Sequence, residues 1–237
     1  MDSYPDWVED TDVRVLCKDC TAECCKHVAI PLETPEDADD WQAIADYLNY
    51  EGMSVYKDHD GDWLVECKTR CNQLDDNRCM AFKENMQPMT CREYDMHTCV
   101  MNSPGDYFTI MFTRPEEVVA HAKKKGFVVN PVLPNDCEHE CCNHVLIELD
   151  DPEEWRDFDD IRWYIAHKNT DVFKDEDGWY VRFSTPRKDR CTRCDTERCK
   201  YDSDEYDVHF RTWDDVEAYY KEYDIMPELP GLTLTSY

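Results

Sequence analysis

Apolar residues first alternate and then fall into helical spacing, and the chain does this twice. Val28, Ile30 and Leu32 occupy every second position, the period of a half-buried strand, and Pro31 within the run places that strand at a sheet edge or bulge. Trp41, Ile44, Ala45 and Leu48 then take the three-and-four spacing of a helix face, with Gly52 as a stop. Residues 55–57 and 63–66 flank Asp58-His59-Asp60-Gly61 and predict a β-hairpin. Further on, Thr113-Arg114-Pro115-Glu116 reads as a capping box with proline at the helix start. Val118, Val119 and Ala122 supply the apolar face, and Lys123, Lys124, Lys125 and Gly126 a basic end.

The second round keeps the order. Val145, Ile147 and Leu149 predict the strand, and Phe158, Ile161, Tyr164 and Ile165 the helix. Residues 172–174 and 179–183 predict the hairpin around an Asp-Gly turn, and residues 212–223 the closing helix. The offset is 117 residues from Cys20 to Cys137 and from Val55 to Val172, after which a one-residue deletion brings Trp63 onto Trp179. A period that covers a whole folding unit outranks any single motif. The expected class is α+β, in two tandem pseudo-repeat modules. Each is a Cys-rich loop, short strand, helix, β-hairpin, Cys-rich loop and closing helix. Residues 12–126 form the first module, 127–136 a linker with Pro131 and Pro134, and 137–224 a second, shortened module.

Charge narrows the partners. With 26 Lys and Arg against 54 Asp and Glu, the net charge is −28, which repels phosphate backbones and anionic lipid. Neither nucleic acid nor membrane is an expected partner. Hydrophobic residues at 41% and aromatics at 12% keep the chain in the globular class despite its polarity. Residues 1–12 are acidic and carry no apolar core, and no run is long enough to span a bilayer, so the expected location is cytoplasmic. In such a reducing compartment the 15 cysteines point to metal or redox chemistry before disulfides.

Those cysteines are patterned. Cys20, Cys24, Cys25, His27 and Val28 form a string that returns as Cys137, Cys141, Cys142, His144 and Val145. Thiolates select zinc, copper(I) or iron, including iron–sulfur clusters, whereas magnesium and calcium prefer oxygen. The first module adds Cys17, Cys67, Cys71, Cys79, Cys91 and Cys99, more sulfur than one four-coordinate centre requires. The second adds Cys191, Cys194 and Cys199, where Asp195-Thr196-Glu197-Arg198-Cys199 parallels Asp75-Asp76-Asn77-Arg78-Cys79 and aligns Cys191 with Cys71. Adjacent cysteines in extended chain point to opposite sides, so one of Cys24 and Cys25 would ligate while the other packs or serves a neighbouring metal. His27 and His144 are candidate ligands or groups that orient a thiolate. His97 and His209 form a second pair, each in a Tyr-Asp-x-His sequence. The two Asp-Gly turns lack the spaced oxygens and distal glutamate of an EF-hand and are hairpin turns. No phosphate-binding loop, dinucleotide fingerprint or serine elbow is present.

With the string from Cys17 to Cys25, the hairpin ending at Trp63, Cys71 and Cys79, and Cys91-Arg92-Glu93-Tyr94 before Cys99, the chain resembles the YkgJ-type cysteine-cluster family, described as a zinc- or iron-chelating domain. The resemblance covers most of the first module and about two thirds of the second. It implies that Cys20, Cys24, Cys25, Cys71, Cys79, Cys91 and Cys99 are metal ligands, and the family includes iron–sulfur proteins and the flagellin lysine N-methylases. Where that family has an aromatic residue, two spacers and Arg-Pro before Cys-Arg, this chain has Phe82 followed at greater distance by Gln87-Pro88 and then Cys91-Arg92, and the second module has no Cys-Arg.

The function expected from these features is metal binding by clustered thiolates, with iron as an iron–sulfur cluster or zinc as the cofactor and metal ions as the partners. Two alternatives stand beside it. One is a metal-dependent enzyme that modifies a protein substrate, methyltransferase-like or redox. The other is a zinc-stabilised module that binds a protein partner, since metal-binding energy can be folding energy.

Overall fold

The computed structural model describes residues 22–83, 86–92, 107–129, 144–188 and 206–225. A 3₁₀ turn, Glu23–Cys25, leads into β1 (His27–Leu32), α1 (Ala38–Tyr47), β2 (Met53–Asp58) and β3 (Trp63–Lys68). Then come the short β4 (Leu74–Asp75) and β5 (Arg78–Cys79), the one-turn helices α2 (Met80–Lys83) and α3 (Met89–Arg92), β6 (Phe108–Phe112) and α4 (Pro115–Lys125). The chain continues with β7 (His144–Leu149), α5 (Trp155–Ile165), β8 (Thr170–Lys174), β9 (Trp179–Ser184), β10 (Val208–Phe210) and α6 (Trp213–Tyr223). Helices and sheets both contribute, and the fold is α+β. No described helix is long and apolar enough to cross a membrane.

Each half builds an antiparallel four-stranded sheet, in the order β1-β3-β2-β6 and β7-β9-β8-β10. β1 is an edge strand, so Pro31 costs no ladder bond on its open side, as its position predicted. Both hairpins form at the expected turns. Asp58 Oδ1 accepts from the amides of Gly61 at 2.8 Å and Asp62 at 2.9 Å, and Asp175 Oδ1 from Asp177 at 2.9 Å and Gly178 at 3.2 Å. These carboxylates close hairpins, the role the sequence assigned them. β6 and β10 are additions to the sequence reading, which placed no strand there.

Carboxylates also start the helices. Asp37 Oδ1 accepts from Asp39 N at 2.8 Å and Asp40 N at 3.1 Å, and Asp40 Oδ2 returns the favour to Asp37 N at 3.1 Å. For α4 the box is one residue later than expected. Arg114 is the cap, and Glu117, not Glu116, accepts from Thr113 N at 2.9 Å and Arg114 N at 3.2 Å, because Pro115 takes the first helical position. The apolar faces of α1 and α4 pack on the first sheet, those of α5 and α6 on the second. Trp41 meets Trp63 edge-on at 5.5 Å and Trp63 stacks on Phe112 at 6.1 Å. In the second half Phe158 meets Trp179 edge-on at 6.2 Å and Trp179 stacks on Phe210 at 5.8 Å. Val129, expected in the linker, is buried with the core. Residues 130–136 lie outside the described residues.

The halves join edge to edge through the residues that leave β3 and β9. Cys71 forms an antiparallel bridge with His167, and Tyr50 forms one with Arg187. Asn72 N donates to Ala166 O at 2.7 Å, and Lys188 N to Asn49 O at 2.7 Å. Lys168 N donates to Arg70 O at 2.9 Å, and Glu51 N to Pro186 O at 2.9 Å. Thr69 Oγ1 donates to Lys168 O at 2.5 Å, and Thr185 Oγ1 to Glu51 O at 2.8 Å. Every bond that the first half makes to the turn after α5 is answered by one from the second half to the turn after α1, which is the pattern of a contact about a two-fold axis. Arg187 thus takes the place in this junction that Cys71 takes opposite, whereas the sequence alignment had paired Cys71 with Cys191.

Candidate metal centre

β1 begins at His27, opposite Lys68 at the end of β3, so the turn before β1 and the segment after β3 run side by side. The pairing continues beyond the sheet. Thr69 N donates to Lys26 O at 3.0 Å and Cys71 N to Cys25 O at 2.7 Å, which sets Cys71 beside the double cysteine. The β4–β5 pair returns the chain so that Cys79 stands opposite Leu74. α3 brings Cys91. Thus Cys24, Cys25, Cys71, Cys79 and Cys91 come within electrostatic reach of one another from three separate stretches.

The double cysteine differs from the expectation of opposed side chains. Glu23–Cys25 is a 3₁₀ turn entered through Ala22 at φ 58°, closed by Cys25 N donating to Ala22 O at 3.0 Å. In a turn, successive side chains are not alternated across a pleat, and here the Cys24 and Cys25 thiols hydrogen-bond to each other. That bond, burial and the charges of Cys24, Cys71 and Cys79 all push the Cys25 thiol far up. Burial first, then Cys79 and Cys24, raise Cys71, although amide donors to its sulfur oppose the shift. Burial followed by Cys79, Cys71, Cys24 and Asp159 pushes Cys91 up to about 12, although the residue as a whole keeps exposed surface.

The hydrogen bond to Cys25, burial and the neighbouring thiols thus favour the neutral forms of Cys25, Cys71 and Cys91 in the absence of a cation. A bound metal reverses that balance, because it stabilises several thiolates together and releases their protons. Donors for sulfur charge are in place: Gln73 N lies 3.4 Å from Cys71 Sγ and Gln87 Nε2 lies 3.7 Å from Cys79 Sγ. All six described cysteines, these five and Cys67, carry reduced sulfur. Cys67 is buried in the core of β3 and takes no part. The donor set suits a soft or borderline metal. Among the described residues, no three His, Cys, Asp or Glu side chains already stand in a metal-holding group.

The second half supports this region from outside. Met89 N donates to Asp159 Oδ2 and Thr90 Oγ1 to Asp160 Oδ1, both from α5, so the helix carrying Cys91 is held across the junction. Arg162 NH1 braces Asp159 at 2.7 Å, and its NH2 reaches Met86 O at 3.4 Å. Nothing in the spacing of the sequence marked these aspartates. Nor did it mark His167, the bridge partner of Cys71.

The histidine candidates divide. His27 Nδ1 lies 3.1 Å from Glu66 Oε1, and Ser54 Oγ donates to Glu66 Oε2 at 3.0 Å. Burial favours a neutral Glu66, but the bonds from His27 and Ser54 outweigh it and hold the carboxyl below its ordinary range. His27 is thus oriented by a carboxylate. His144 Nδ1 lies 3.2 Å from Ser184 Oγ on the second sheet. His209 bonds Asp171 Oδ2 at 2.7 Å, within a buried network that Arg182 and Tyr206 complete at 2.8 Å. It stands on β10 opposite Phe173, as Met111 on β6 stands opposite Tyr56, so the strand register pairs it with Met111 and not with His97. Cys17, Cys20, Cys99, Cys137, Cys141, Cys142, Cys191, Cys194 and Cys199 lie outside the described residues, as does His97. No family model, no curated protein and no solved structure matches the chain.

Proposed function

We propose that the first half is a metal-binding module that holds iron, as an iron–sulfur cluster, or zinc, through Cys24, Cys25, Cys71, Cys79 and Cys91, joined by Cys17, Cys20 and Cys99. The observation that carries the proposal is the gathering of five thiols from separate stretches, of which Cys25, Cys71 and Cys91 are pushed towards the neutral form by burial and by the neighbouring thiols. Burial alone does not require sulfur at these positions, as Cys67 and its counterpart Phe183 illustrate in the two cores. The proposal includes kinship with the YkgJ-type cysteine-cluster family and a reducing, cytoplasmic setting. It also includes an origin of the chain as two tandem divergent copies. The matching sheet orders, aromatic contacts and reciprocal junction bonds support that last point.

Metal and acid-labile sulfide are to be measured on the full chain purified without oxygen. Iron with sulfide and a visible charge-transfer colour supports the cluster. Zinc without colour supports a mononuclear site. Protein that binds neither, even when both are offered under reducing conditions, overturns the proposal.

A further inference from the structure

The sulfur donors belong to the first half, yet a histidine of the second half is bridged through its backbone to one of them. His167 follows α5 and is 1% exposed. Its backbone bridge to Cys71 sets the two residues directly opposite, and opposed residues of an antiparallel pair carry Cβ atoms about 4.5–5.5 Å apart on the same face. His167 Nδ1 lies 2.8 Å from the carbonyl oxygen of Trp163. A carbonyl only accepts, so Nδ1 carries the proton and Nε2 is left with a bare lone pair. Nε2 is buried and, among the described residues, has no hydrogen-bond partner. Burial with no described acceptor at Nε2 disfavours a second proton on the ring.

A buried, unpaired acceptor costs about 1–3 kcal/mol. The fold does not need one here, because Tyr50 fills the reciprocal place in the junction opposite Arg187. A neutral ring whose Nδ1–H is spent on a backbone carbonyl while Nε2 stays free is how metal-ligating histidines are held. Imidazole is a ligand for zinc and iron alike. His167 also lines an open cleft of about 280 Å³, walled by Asn72 of the first half and by Thr170 and Asp171 of the second.

We infer that His167 Nε2 is the nitrogen ligand of the metal held by the first half's thiolates, so that one site is completed by both halves. This rests on the metal-binding reading above. Binding then draws together the two segments that already meet at the Cys71–His167 bridge, and metal stabilises the junction as well as the module.

Cobalt(II), added to the full reduced chain without oxygen, reports sulfur and nitrogen separately. Thiolate ligation gives intense near-ultraviolet charge-transfer absorption. A histidine bound through Nε2 gives a hyperfine-shifted, exchangeable Nδ1–H proton resonance. The expected result is both signals, with a nuclear Overhauser effect from the shifted proton to Trp163, which needs no variant. His167→Asn keeps a donor for the Trp163 carbonyl but no Nε2. It is expected to lose that resonance, change the visible ligand-field bands and weaken cobalt binding at least about tenfold, while sulfur charge transfer persists. His27→Asn is expected to keep the resonance. Charge transfer with no shifted exchangeable proton, or bands unchanged in His167→Asn, overturns the inference and leaves the thiolate site standing. Absence of charge transfer overturns both.

Discussion

Cys67 lies on β3 opposite Val28 and Met53, 3% exposed, and its thiol is pushed up to about 12 from an ordinary 9.0 by burial first and by the charge of Glu66 second. In the unfolded chain the same thiol ionises near 9, so above that pH the unfolded state sheds a proton that the folded state keeps. Its contribution to stability is complete below pH 9 and is lost as the pH rises towards 12, at up to about 1.4 kcal/mol per pH unit. Urea unfolding of metal-free Cys67→Ala is therefore expected to lose less stability than the parent between pH 9 and 10.5, despite a lower stability at pH 7. Parallel losses would show that Cys67 already ionises in the fold. At this scale the spacing of the sequence pointed to Cys24, Cys25, Cys71, Cys79 and Cys91, which the fold brings near one another. It missed His167, whose lone pair is defined by a carbonyl one helical turn back and by a bridge to a residue far away in the chain. It misjudged Cys24 and Cys25, since neighbouring residues alternate in a strand but not in a 3₁₀ turn.

The strands β1, β2, β3, β7, β8 and β9 and the long helices were readable from period and turn chemistry. β6 and β10 were not, because short strands that follow long irregular stretches are defined by the edge they fill. The connection into the second strand carries a sharper test. Gly52 has φ 74°, and its carbonyl accepts from Lys68 N at 2.9 Å. In the second half Asn169 has φ 59° and accepts from Ser184 N at 2.8 Å, so an asparagine performs the same left-handed turn. A Cβ at Gly52 would stand 3.3 Å from Lys68 Cβ, a contact that calls for a small shift. Gly52→Ala is expected to cost about 1–2 kcal/mol, the usual penalty for a left-handed alanine. Gly52→Asn is expected to cost clearly less, because asparagine bonds its own backbone in that region. Urea midpoints at pH 7 check the order. Equal losses would place the cost in the steric contact and not in the backbone angle.

For the whole molecule, a net charge of −28 makes compaction work against self-repulsion. Raising monovalent salt from about 0.01 to 0.15 M shortens the screening length from about 30 to 8 Å. The urea midpoint of the metal-free chain is expected to rise with it, and a flat response would mean that the acidic groups are compensated locally. The junction decides whether the two cores share that stability. Its bonds are mostly between backbone groups, which is why no side-chain pattern announced it, but Thr185 offers a handle: its hydroxyl donates to Glu51 O at 2.8 Å across the halves. Thr185→Val keeps the β-branched shape and removes the bond, a loss of about 1 kcal/mol. If the halves unfold together, amide exchange is expected to speed up by the same factor at Val65 in the first sheet and Val181 in the second, although the substitution lies in the second half alone. Faster exchange confined to Val181 would mean that the cores open independently. The junction would then be a docking contact, too weak to couple the halves without metal at the Cys71–His167 bridge.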